Sequence, residues 1–121
     1  MTRVSSLALA LALTFLFATP AAAQGSPSRA ALAHQLYDGA IASLTAGSSG
    51  PSDAYDWSVR WMRADLEAHV PGAAQAHLDR MRDLESRVHA LTQTGVLAAS
   101  AETACRYYVA EAQAWLAHPP S

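Results

Sequence analysis

An all-α fold, either a four-helix bundle or a pair of antiparallel helical hairpins, is predicted by three observations. Beyond residue 23, glycine and proline cluster at only a few places. Between these breaks lie alanine-rich segments whose apolar residues recur every three or four positions, the spacing that gives a helix a buried face. Residues suited to starting or stopping a helix stand at the ends of the segments.

A leader precedes the helices. Arg3 stands before an apolar run from Leu7 to Ala18, which Pro20 and Ala21-Ala22-Ala23 close. A positive start, an apolar middle too short to anchor in a bilayer and an Ala-x-Ala cut site after Ala23 predict a secretory signal peptide over 1–23. No Arg-Arg pair precedes the run and no cysteine follows the cut, so general export without a lipid anchor is expected. The working form is then one helical domain over 24–121, periplasmic or secreted, with no transmembrane anchor.

The first helix is expected from about Pro27 to Ala46. Proline is tolerated in a first turn, Gly47 closes the run, and Ala33, Leu36, Tyr37, Ala40, Ile41 and Leu44 form the apolar face. Gly39 weakens this helix by about 1 kcal/mol relative to alanine and suggests close approach of a neighbour. After the turn at Gly47-Ser48-Ser49-Gly50-Pro51, Ser52 or Asp53 is expected to cap a second helix that runs to about Val70, before Pro71-Gly72. At about 100° per residue, Ala54, Trp57, Trp61, Ala64 and Ala68 line one side of it. Tyr55, Val59, Met62, Leu66 and Val70 line a nearly opposite side, so this helix calls for partners on both.

The third helix, about Ala73 to Thr94, carries Ala74, His77, Met81, Leu84, Val88 and Leu91 in alternating steps of three and four, the seam of an antiparallel hairpin or short coiled coil. Asp83 with Arg87 and Glu85 with His89 have the spacing of surface ion pairs. Gly95 breaks the run. Ser100, Glu102 and Thr103 mark the start of a fourth helix, which carries Ala104, Cys105, Tyr108, Val109, Ala112, Trp115 and Leu116 and stops before Pro119-Pro120. Aligning Gly47 with Gly95 places Ser52 on Ser100 and Ala64 on Ala112, a faint duplication that would mean two stacked hairpins.

Composition excludes several activities. The whole chain carries 8 Lys+Arg against 10 Asp+Glu, a formal charge of −2, and Arg3 leaves with the leader. No basic field remains to attract nucleic acid or anionic lipid. Lysine and asparagine are absent, so no Asn-linked glycan site exists. Cys105 is the lone cysteine, which rules out an internal disulfide. The thiol is expected to be buried, with pairing to another chain or reactivity as the alternatives.

Three stretches carry a resemblance: Tyr55-Asp-Trp-Ser-Val-Arg-Trp-Met-Arg-Ala-Asp-Leu, His77-Leu-Asp-Arg-Met-Arg-Asp-Leu-Glu and Tyr107-Tyr-Val-Ala-Glu-Ala-Gln-Ala-Trp-Leu. Together they resemble bacterial exported helical proteins with the same Trp-Ser-x-Arg-Trp, His-Leu-x-Arg-Met and Tyr-Tyr-x-x-Glu-Ala-x-x-Trp-Leu pattern. These in turn are similar to the helical-hairpin segment of outer-membrane efflux channels. The resemblance implies a helical hairpin fold and brings no catalytic residue. Cys105 and Arg106 stand where Ala-Glu is usual, and no barrel strands are present for a complete channel.

Each chemical constellation has a plainer reading. Trp57, Arg60, Trp61 and Arg63 could form a stacking platform, but acidic neighbours cancel the field a phosphate needs. The expectation is that both tryptophans anchor the core while Arg60 pairs with Asp56 and Arg63 with Glu67. His34, His69, His77, His89 and His118 show no His-x-x-x-His or Glu-x-x-His spacing, so neither a metal nor any other cofactor is expected. Cys105 with a histidine is the sole nucleophile pair to consider, and no spacing brings one to it. A mutase site of converging arginines is not expected either, because acids offset most of Arg60, Arg63, Arg80, Arg82 and Arg87.

What remains is association. The sequence implies an interaction or assembly module without catalytic activity, whose partner is another envelope protein or a second copy. The candidate contact residues are Tyr55, Trp57, Arg60, Trp61, Met62, Leu66, Tyr108 and Trp115, with Cys105 as a possible thiol site. The alternative is a bundle that binds a small ligand or metal.

Overall fold

The computed structural model describes residues 25–121, and the expected signal peptide over 1–23 lies outside the described residues. The described residues form four helices, α1 (Arg29–Thr45), α2 (Ser52–Glu67), α3 (Ala73–Gln93) and α4 (Ala99–Ala117), and no strand. The all-α expectation is met.

Helix ends follow backbone chemistry more than the expected side-chain caps. Ser28 caps α1, its Oγ accepting from the Ala31 N–H at 3.1 Å, so the helix starts just after Pro27. Pro51 takes the cap position of α2 with helical φ and ψ and no side-chain bond, which corrects the Ser52 or Asp53 cap. Asp53 instead sits in the first turn, where its charge favours the helix dipole. The start of α4 at Ala99, after Ala98, likewise has no side-chain cap bond. The first three helices close with the same left-handed device, in which the two N–H groups past the cap fold back to carbonyls of the last turn. Gly47 (φ 74°) and Gly95 (φ 76°) serve α1 and α3, with Ser48 N–H reaching Ser43 C=O at 3.0 Å and Val96 N–H reaching Leu91 C=O at 2.9 Å. At α2 the left-handed residue is His69 (φ 56°), and Val70 N–H bonds Asp65 C=O at 2.9 Å. The helix therefore ends at Glu67, short of the expected Val70.

Packing joins neighbours in the chain. α1 lies along α2, α3 lies along α4, and α2 against α3 unites the two hairpins; α1 meets α3 marginally and has no comparable contact with α4. The shared core is Tyr37 and Leu44 of α1, Ala54 of α2, Leu78, Met81, Leu84 and Val88 of α3, and Cys105 and Ala112 of α4. Each fully buried Leu, Met or Val contributes about 1.5–3 kcal/mol through the area it removes from water.

This layout corrects two expected faces. α1 has one full neighbour, so its buried arc narrows to Ala33, Tyr37 and Leu44, and Leu36 is left 46% exposed. A Cβ on Gly39 would meet nothing within 4 Å, so no helix approaches there. On α2 the buried line is Ala54, Ser58 and Met62, which runs between the two expected stripes. The stripes are thus the flanks of one wide face. Trp61 turns to α1 and α3, and Tyr55 turns to α4.

Candidate functional site

Most of the sequence-derived contact residues are used inside the fold. Met62 is fully buried. Tyr55 stacks on Tyr108 (ring centroids 4.0 Å, planes 13° apart), and its hydroxyl donates to Glu111. Burial, with that bond second, raises the Tyr55 pKa. Trp61 is held between two rings and a cation: His34 stacks on it at 4.1 Å, Arg80 lies 4.0 Å from its centroid and Tyr37 sits at 5.9 Å. Trp115 packs against His77 at 5.5 Å. Leu66 is half-buried beside Arg63 and the C-terminal Pro120 and Ser121. None of these is free to serve as a partner's main foothold.

Cys105 is fully buried, and burial followed by the charges of Glu85 and Glu102 pushes its thiol up to about 12. A thiolate is the reactive form of cysteine, so this environment suppresses both disulfide exchange and nucleophilic attack.

A polar cluster that the sequence reading missed joins α2 to α3. Ser58 Oγ lies 2.8 Å from His77 Nδ1 and 2.7 Å from Arg80 Nε, and Arg80 Nη2 donates to the Ser58 carbonyl at 3.1 Å. Arg80 can only donate, so the serine oxygen accepts from it and keeps a second bond with His77 Nδ1. His77 Nε2 is buried without a hydrogen-bond partner beside the rings of Tyr55 and Trp115. Burial, then Arg80, lowers the His77 pKa to about 4. A serine bonded to a histidine is the geometry of an activated nucleophile. Here both residues are fully buried and Arg80 occupies the serine oxygen, so the cluster acts as a brace between helices. The signal for it was present: Ser58 stands four residues from each of the fully buried Ala54 and Met62.

The expected ion pairs are mostly rearranged. Asp83 and Arg87 do pair, at 2.7 Å. Arg60 turns from Asp56 to the face of Trp57, 4.5 Å from its centroid. Glu67 pairs with Arg29 of α1 instead of Arg63, and His89 with Glu102 of α4 instead of Glu85. In the last two cases the side chain reaches a partner on another helix, which helical spacing alone does not reveal. Among the described residues, Arg60 and Arg63 have no carboxylate partner, and no three His, Cys, Asp or Glu residues group as a metal site requires.

The accessible candidate is a trough along the outer seam of α1 and α2. At one end Arg29, Leu32, Ala33, Leu36, Trp57, Arg60, Arg63, Ala64 and Glu67 enclose about 410 Å³. It continues past Leu36 and Trp57 to Gly39, Ala40, Ser43 and Asp53. The floor is apolar and half open, with Leu32 44% and Leu36 46% exposed. Of the sequence-derived residues it keeps Trp57 and Arg60, and it adds Leu32 and Leu36. No helix among the described residues is long and apolar enough to cross a membrane. Compared with known proteins, the chain matches no family model, no curated protein and no solved structure.

Proposed function

We propose that this chain is an exported helical interaction module, periplasmic or secreted and without catalytic chemistry, which docks a partner along the α1–α2 trough. The exposed leucines carry the reading. Leu32 and Leu36 line up with Trp57 on one accessible surface, while Tyr55, Trp61 and Met62 of α2 and the polar groups near the core are taken up by internal contacts. Two antiparallel helices with an exposed apolar seam present a surface that a helical partner can cover. The trough is open along its length, which favours such a partner over an enclosed small molecule.

Photo-crosslinking tests this. A photoreactive residue in place of Leu36 is expected to give a discrete adduct in the envelope of the native host, and the same probe at exposed Gln113 on α4 none. Equal labelling at both positions, or none at Leu36, would refute the reading.

A further inference from the structure

We propose that the occupant of the trough is the same trough of a second copy of this chain, docked about a two-fold axis that passes near Leu36 and Trp57. The inference rests on the reading that the α1–α2 seam is the contact surface. It is carried by the order of residues along that seam. On one side of Leu36 and Trp57 stand bulky Leu32 and the arginines Arg60 and Arg63; on the other stand Gly39, Ala40 and the acid Asp53. A two-fold axis exchanges the two sides. It lays Leu32 of each copy over the Gly39–Ala40 crease of the other and brings Arg60 and Arg63 over Asp53.

Size and charge are then both self-complementary, as an isologous interface requires. Gly39 is open space in the single chain, since a Cβ there would meet no atom within 4 Å, so a leucine can enter without displacing anything. Arg60 is held over the Trp57 face, which positions its cation at the rim before contact. A free anion would satisfy the arginines and leave Asp53 and the crease uncovered. Each helix is about 25 Å long and the pair about 20 Å wide, which gives about 500 Å² per copy. Near 1,000 Å² in total is the lower end for a specific interface, so the dimer is weak and reversible.

Sedimentation of the purified chain between about 1 μM and 1 mM, with circular dichroism to check folding, decides the matter. The native chain is expected to pass from monomer to dimer across this range. Gly39→Trp, at a position where a Cβ meets nothing within 4 Å, fills the crease and is expected to weaken dimerisation at least tenfold. Arg60→Asp and Asp53→Arg are each expected to be monomeric through like-charge contacts, and to form a heterodimer when mixed. The photoreactive probe at Leu36 should give an adduct of twice the chain mass. A native chain that stays monomeric at 1 mM, or a mixture of the two charge variants that fails to pair while both are folded, overturns the proposal. A Leu36 adduct of any other mass also overturns it and leaves the broader docking reading standing; no adduct at all removes both.

Discussion

The buried histidine makes the fold sensitive to acid, by an amount that follows from its surroundings. His77 takes a proton at about pH 6.5 in an unfolded chain and near pH 4 in the folded one. Between these values the unfolded chain holds more protons, so acidification favours unfolding. The contribution is fully present above pH 6.5 and is lost as pH falls through 4. A displacement from 6.5 to about 4 corresponds to about 3 kcal/mol at roughly 1.4 kcal/mol per unit. That is a large part of the roughly 5–15 kcal/mol that holds a domain of this kind folded. His77→Gln keeps a hydrogen-bonding group toward Ser58 and cannot titrate. The assay is urea unfolding followed by tryptophan fluorescence at pH 7.5, 6.5, 5.5 and 4.5. The native chain should lose about 2.5 kcal/mol more than the variant across this series, which stops short of the folded-state pKa. Groups that titrate in both proteins cancel in the difference. Parallel losses in the two proteins would refute the assignment of a neutral, buried imidazole.

Three further outcomes are expected. Gly39→Ala should stabilise the chain by about 1 kcal/mol, because the position is helical and its Cβ meets nothing, whereas Gly47→Ala should destabilise it, since φ is +74° and the new Cβ falls 3.1 Å from Val96 Cγ1; thermal melts of the pair should shift in opposite directions. His69→Gly should raise stability by about 1 kcal/mol through relief of the left-handed backbone, read by urea titration, and a loss would show that the imidazole supplies something the backbone does not. Cys105 should resist a thiol reagent at pH 8 until the chain is unfolded, and full labelling of the native protein within minutes would contradict its burial and its raised pKa.

Local chemistry wrote the helices plainly into the sequence. The three-and-four stepping of His77, Met81, Leu84 and Val88 identified the face of α3 that is fully buried, and Gly47 and Gly95 marked the ends they close. What the sequence obscured was how many neighbours each helix has. Leu36 fits the apolar stripe of α1, yet it is exposed because α1 has one full partner where the stripe suits two. The two stripes of α2 looked like opposite faces because Ser58, the centre of the buried arc, is polar; its place among apolar residues becomes sensible once Arg80 and His77 arrive from α3. The trough was half readable. Trp57 and Arg60 stood out as an aromatic and basic pair, but Leu32 and Leu36 belong to the site through what is missing beside them, which periodicity does not encode.

The order of helices in space repeats their order along the backbone, and this governs how the chain acquires its shape. Each extensive interface joins consecutive helices across the short connections 46–51, 68–72 and 94–98. Among the described residues no helix has its extensive partner at the far end of the sequence, so the mean sequence separation of contacts is low. Helical domains of that kind reach the native state in microseconds to milliseconds. α1 and α4, each gripped along a single side, are then the elements to detach first, and their amides should exchange with solvent deuterium ahead of those in α3.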